Sequence, residues 1–164
     1  MLEIGSGGST AWFAKRVAHI TSLENDEAWF DRVSREVAPF ANVDPRLLQG
    51  DWICGLEADD LPTWRVGAPA NYLAFLDGLR PASFDVVLND GWGRDAVGIR
   101  VLRLVRPGGL LVWDDDPPAH PRLLDEVSRW RRVPWFDGIH RTTFFFKPGV
   151  DSGSPDDTRT ASTQ

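Results

Sequence analysis

The chain has 164 residues, 42% of them hydrophobic and 26% charged, with a formal net charge of −6 at pH 7. That length supports one domain with a core of its own, and the negative balance argues against a non-specific grip on a nucleic-acid backbone. The single cysteine, Cys54, excludes an internal disulfide and a cysteine-built zinc cluster and suits a reducing, cytoplasmic setting; no apolar run has membrane-spanning length and no signal peptide is visible.

Leu2-Glu3-Ile4 reads as a short buried strand, Gly5-Ser6-Gly7-Gly8 as a glycine turn, and Ser9-Thr10 as the cap of a helix over residues 11–17. Strand, glycine turn and helix in this order open the nucleotide site of a doubly wound α/β domain. Glycines let a ligand approach the backbone closely, and the new helix points unpaired N–H groups back at the turn. Because the chain starts almost directly on this strand, an N-terminal cap is expected to be missing, either through a minimal fold or through absent upstream sequence. The sheet face left open there would suit a second subunit, as in a homodimer.

Residues 19–23 favour β structure and lead into Glu24-Asn25-Asp26. Glu24 follows Glu3 by 21 residues, and an acid about 20 residues past the glycine turn accepts ribose hydroxyls in such folds. The plainer alternative is a surface carboxylate that favours the dipole of the next helix. Asn25 or Asp26 caps that helix, residues 27–37, whose Trp29, Phe30, Val33 and Val37 recur at helical spacing and should face the sheet; Pro39 ends it. A short third strand is predicted near Arg46-Leu47-Leu48, ending at Gly50-Asp51-Trp52. Residues 53–69 have no clean period and read as loop with one helical turn.

Residues 71–76 look helical, and Phe84-Asp85-Val86-Val87-Leu88 is a fourth strand, mostly apolar as a parallel central strand should be. It runs into Asn89-Asp90-Gly91. Residues 94–105 form a helix with Val97, Val101, Leu102 and Val105 on one side, Pro107-Gly108-Gly109 breaks the chain, and Leu110-Leu111-Val112-Trp113 is strand five, followed by Asp114, Asp115 and Asp116. A helix over 121–130, a strand and turn over 133–138 and a last β stretch over 140–146 complete the domain, residues 1–148. Residues 149–164, with almost no apolar side chains, are expected to be a disordered tail. The eight tryptophans, spread along the chain, are expected to anchor the core and helix packing.

The alternation predicts a doubly wound, three-layer α/β/α sandwich with a mostly parallel sheet. The last two β stretches lie too close in sequence for a crossover of about a dozen residues, so they should pair antiparallel.

Four segments in order resemble the motifs of the class I S-adenosylmethionine-dependent methyltransferases. They are Leu2-Glu3-Ile4-Gly5-Ser6-Gly7-Gly8, Ser22-Leu23-Glu24-Asn25-Asp26, Phe84-Asp85-Val86-Val87-Leu88-Asn89-Asp90-Gly91, and Arg106-Pro107-Gly108-Gly109-Leu110-Leu111-Val112. Within that family the chain is most similar to small bacterial members of undefined substrate, and more distantly to metal-dependent O-methyltransferases. The resemblance implies seven strands in the order 3-2-1-4-5-7-6, S-adenosylmethionine as cofactor, and methyl transfer to a small-molecule O- or N-nucleophile. It also assigns roles. Glu3 would support the glycine loop or reach the methionine ammonium group, and Gly5, Ser6, Gly7 and Gly8 would pack on the methionine and ribose. Glu24, with Asn25 beside it, would take the ribose hydroxyls. Asp51 would accept from the adenine amino group with Trp52 flanking the ring, and Asp90 would sit beside the methyl.

Methyl transfer from an activated donor needs alignment more than acid–base chemistry, but an acceptor can need a base. Candidates are Asp90, Asp115, His120 and His140, of which Asp90, Asp115 and His120 are expected to share one pocket. Asp90, Asp114 and Asp115 follow neighbouring strands on the active edge of the sheet, and clustered carboxylates suit a hard ion such as Mg²⁺. The metal-dependent relatives show Asp-Asn after strand five where this chain has three aspartates, and a polar loop entering a helix is the plainer reading. Two other functions compete: a non-catalytic cofactor-binding or protein-interaction module, and an NAD-dependent oxidoreductase. Thr10, standing where the third glycine of Gly-x-Gly-x-x-Gly would fall, argues against the latter.

Overall fold

A computed structural model describes residues 1–57, 60–115 and 117–149; Asp116 and all but the first residue of the expected tail lie outside the described residues. Nine strands and six helices follow one another among the described residues as β1 (Leu2–Ile4), α1 (Gly8–Ala14), β2 (Ile20–Glu24), α2 (Glu27–Val37), β3 (Val43–Leu47), β4 (Trp52–Cys54), α3 (Thr63–Val66), β5 (Gly67–Pro69), α4 (Ala70–Gly78), β6 (Phe84–Asn89), α5 (Arg94–Leu104), β7 (Val105–Trp113), α6 (Pro121–Ser128), β8 (Arg131–Phe136) and β9 (Arg141–Phe146). Seven strands form one sheet in the order β3-β2-β1-β6-β7-β9-β8. The first five are parallel; β9 enters antiparallel between β7 and β8. This is the predicted doubly wound order, with β4 and β5 set apart as a small hairpin.

Alternation along the strands splits the apolar residues between two faces. Leu2, Ile4, Val87, Leu111 and Trp113 meet Leu73, Leu76, Val97, Val101, Leu123 and Val127 of α4, α5 and α6. On the other face Met1, Ile20, Leu88 and Val112 pack with Phe13 of α1 and Val17. Glycine sets the distance between layers at one point. A Cβ on Gly98 of α5 would fall 2.6 Å from the buried Trp113 ring.

Several boundaries differ from the sequence-based expectation. Helix α1 starts at Gly8 rather than at residue 11, because Thr10 folds its hydroxyl back on Gly7 N–H at 3.0 Å and draws the turn into the helix. Strand β3 lies earlier than predicted and contains Pro45, tolerable because β3 is an edge strand. The expected break at Pro107-Gly108-Gly109 is absorbed into β7, with Gly108 at φ +74° and a register shift opposite Phe84 and Val86. The described residues of the stretch read as loop hold more regular structure than predicted: β4 and β5 pair antiparallel and α3 precedes β5. Strand β8 starts two residues early, at Arg131; it is the other edge, exposed throughout, and carries Pro134.

The tryptophans depart furthest from expectation. Trp113 and Trp130 are buried, whereas Trp12, Trp29, Trp52, Trp64, Trp92 and Trp135 are all exposed. Trp29 does not face the sheet as its spacing suggested; its Nε1 donates to the Ser6 carbonyl at 2.7 Å.

Gly98→Ala tests the layer spacing. The helix propensity gained is about 1 kcal/mol, and overpacking against a close-packed ring costs about 1–3 kcal/mol. The variant is expected to melt several degrees below wild type by calorimetry.

Candidate functional site: the cleft at the carboxyl ends of β1, β2 and β6

The glycine turn is shaped from beneath. Glu3 is fully buried in β1 and accepts hydrogen bonds from Thr10 Oγ1 at 2.6 Å and Ser22 Oγ at 2.5 Å. Burial pushes its carboxyl above the usual range, and the bonds from Ser22 and Thr10 pull it back. In the structure Glu3 is tied to the loop through Thr10, whose hydroxyl also accepts from Gly7 N–H, and its Oε1 is buried without a partner. Gly5 is at φ +88°, and a Cβ there would lie 2.8 Å from the Asp90 carbonyl, so both backbone angle and packing require glycine. Gly7 is extended, and a Cβ at Gly8 would meet nothing within 4 Å. Neither needs to be glycine for the sake of this chain, and the open space above them is a cradle that side chains would fill.

Glu24 ends β2 and is 7% exposed. Its Oε1 accepts from the Asn25 and Asp26 backbone N–H groups at 2.7 and 2.9 Å, and its Oε2 from the N–H and hydroxyl of Ser6 at 3.2 and 3.0 Å. The carboxylate is therefore oriented by four donors, one of them a hydroxyl that can rotate away. Asp26 caps α2 by accepting from Trp29 N–H at 2.8 Å. Gly5, Ser6, Glu24, Asn25, Trp29 and Asp90 line a cleft of about 520 Å³, with Trp92 at its rim. Asp51 is not on its lining: it is exposed, and its carbonyl accepts from Ala70 N–H at 2.9 Å. Trp52 opens onto a neighbouring apolar cavity of about 530 Å³, shared with Trp64 and Trp92. Trp92 thus joins the two spaces.

Beyond β6 the acids do assemble. Oxygens of Asp90, Asp114 and Asp115 all lie within 4.8 Å of one another. Arg94, which the sequence reading missed, reaches into them: its Nη2 donates to Asp90 Oδ1 at 3.0 Å and to Asp115 Oδ2 at 3.2 Å. Its spacing of four residues from Asp90 was the available signal, but the bond to Asp115 depends on the pairing of β6 with β7. Asp114 accepts from the Thr142 hydroxyl. Asp115 takes φ +57°, a left-handed value that aspartate tolerates. Burial, then the charge of Asp114, pushes the Asp90 carboxyl up to about 6, against the pull of Arg94. By distance the three carboxylates suit a divalent ion. Each already has one donor from the chain, and an ion at Asp90 and Asp115 would compete with the Arg94 charge.

His120 is not brought to these acids. It is buried as the N-cap of α6, its Nδ1 accepting from Arg122 N–H at 3.2 Å and its Nε2 bonded to the Glu57 carbonyl at 3.2 Å. The capping bond makes Nε2 the protonated nitrogen, so both ring nitrogens are engaged. His140 sits in the exposed turn before β9, beside Asp137.

No protein-family model matches the chain, and no curated protein matches it. Solved structures do. The N-methyltransferase NodS from Bradyrhizobium japonicum WM9, in complex with S-adenosyl-L-homocysteine, is 14% identical with a TM-score of 0.55, over 90% of this chain and 76% of that one. The O-methyltransferase from Bacillus cereus, in complex with SAH, is 17% identical with a TM-score of 0.56, over 89% and 73%. An rRNA methylase from Streptococcus thermophilus is 10% identical with a TM-score of 0.57, over 90% and 86%. The chain has the class I S-adenosylmethionine-dependent methyltransferase fold. That fold is common to neighbours whose names point to nitrogen, oxygen and RNA as acceptors, so it does not choose among them. No described helix is long and apolar enough to cross a membrane.

The raised carboxyl of Asp90 gives a sign for stability. Its contribution is fully present below the ordinary carboxylate range and is lost as pH rises through about 6. Asp90→Asn removes that loss, so the variant should gain melting temperature relative to wild type between about pH 4 and about pH 7. A ¹³C titration of the wild-type Asp90 carboxyl is expected to centre near 6.

Proposed function

We propose that the protein transfers the methyl group of S-adenosylmethionine to an O- or N-nucleophile on a small molecule. The observation that carries this reading is the Glu24 carboxylate, oriented at the tip of β2 and facing the same cleft as the glycine turn and Asp90. Glu24 would accept the ribose hydroxyls, with the Ser6 hydroxyl turning aside to free Oε2. The open backbone of Gly7 and Gly8 would lie along the methionine and ribose, with Asn25 at the rim. Trp52 would flank the adenine from the neighbouring cavity, with Trp92 between, and Asp51, exposed beside Trp52 and on the lining of neither cavity, would turn in to accept from the adenine amino group. When bound, the cofactor supplies a methyl on a positively charged sulfur, which an acceptor lone pair attacks while sulfur keeps the bonding electrons. The chain's part is to align the two and to exclude water. Asp90 would hold the proton of an acidic acceptor, with Asp115 beside it, while His120, engaged at both nitrogens, would serve as the cap of α6.

A net charge of −6 favours a small acceptor over a nucleic acid. Residues 1–148 would be the working unit, in a reducing, cytoplasmic setting, and removing residues 149–164 is expected to leave the melting temperature within about one or two degrees of wild type.

Calorimetry should show S-adenosylhomocysteine binding and no binding of a nicotinamide dinucleotide. Glu24→Gln removes a charged acceptor and should weaken S-adenosylhomocysteine by about 1–3 kcal/mol; an unchanged affinity would return Glu24 to a surface role. Asp90→Asn should lower turnover far more than donor affinity. Donor binding with no turnover on any acceptor class would instead identify a binding module.

A further inference from the structure

We propose that Arg94 is the resident cation of the acidic group, standing where three clustered carboxylates would otherwise draw a divalent ion. The distances among Asp90, Asp114 and Asp115 are those of a metal-sized group, within 4.8 Å. Like charges this close in a half-buried site repel unless something positive lies between them. One nitrogen of Arg94 does so, bridging Asp90 and Asp115 at 3.0 and 3.2 Å.

Two features show that the side chain is committed to this position. Arg94 is the first residue of α5, where a cation opposes the helix dipole and a carboxylate would be favoured. Its Nε is buried with no hydrogen-bond partner, an unmet donor accepted in reaching both carboxylates. The backbone leaves it little freedom to withdraw. Gly93, at φ +65°, donates its N–H to the Trp64 carbonyl at 2.9 Å, and a Cβ there would lie 2.3 Å from the Gly67 carbonyl. The start of α5 is thus clamped to the β4–β5 hairpin, and Arg94 projects from a fixed point. It lines a third cavity, of about 440 Å³, with Asp115, Phe136 and Arg141. A positive charge fixed by the chain thus holds the acids in place without a metal.

The test reads metal uptake and does not depend on the methyl donor, so its failure is separate from failure of the methyl-transfer reading. Mn²⁺ is titrated into the full chain and followed by electron paramagnetic resonance. Wild type and Arg94→Lys are expected to bind weakly, and Arg94→Gln to bind at least about tenfold more tightly, because removing the guanidinium leaves carboxylates suited to a hard cation. Adding Asp90→Asn to Arg94→Gln should abolish the gain. Should Arg94→Gln not fold, Arg94→Met, which keeps length and packing without charge, gives the same reading. Wild-type binding as tight as the uncharged variant's, or no gain on removing the charge, overturns the proposal.

Discussion

The carboxylate of Glu3 is the constraint on which the cleft depends. It lies in the centre of the sheet with no access to water, where an uncompensated charge would be prohibitive. At Oε2 two hydroxyls on different elements compensate it in part, Ser22 of β2 and Thr10 of α1, while Oε1 is buried without a partner. Thr10 relays the effect. The oxygen that donates to Glu3 also accepts from Gly7 N–H, so one buried acid fixes the strand pair, the helix start and the path of the glycine turn together. The turn can then be glycine-rich and open without being slack, which a ligand cradle requires.

A second buried acid plays the corresponding part on the far side. Asp95 of α5 is paired with Arg65 of α3 at 2.7 Å, both buried, and its other oxygen accepts from the Ala119 and His120 N–H groups. Arg65 also donates to the Pro117 carbonyl. Breaking such a pair strands a buried charge, so the geometry is all-or-none. It binds the hairpin region, α5 and the loop after β7 into one body. That explains why His120 lies where it does. The peptide entering α6 is held by Asp95, and the imidazole is turned into the cap.

Much of the fold could be read from the residues because its signals are local. The strand–turn–helix opening, the acid at the tip of β2 and the apolar run of β6 each declare themselves within a few positions, and the short link between β8 and β9 leaves only antiparallel pairing. What was missed depends on partners distant in sequence. Trp52 pairs with Pro69 through a hairpin whose intervening residues have no period. Arg94 acquires its meaning only when β7 brings Asp115 beside it. Thr10 and Ser22 look like ordinary polar residues until the sheet places them over Glu3. The tryptophans show the limit of composition: the residue type suggests burial, while six of eight face outward, and four of those, Trp29, Trp52, Trp64 and Trp92, gather at the two cavities.

Strand β8 closes the sheet with a row of backbone groups open to solvent, the kind of edge on which other chains can polymerise. Here the row is interrupted. Pro134 has no N–H to offer, and Arg131 and Arg132 place two positive charges at one end. An incoming strand would find a missing donor in mid-register and like-charge crowding against its own copy of the same segment. Val133, Trp135 and Phe136 can therefore stay exposed on this strand while the sheet keeps a defined end.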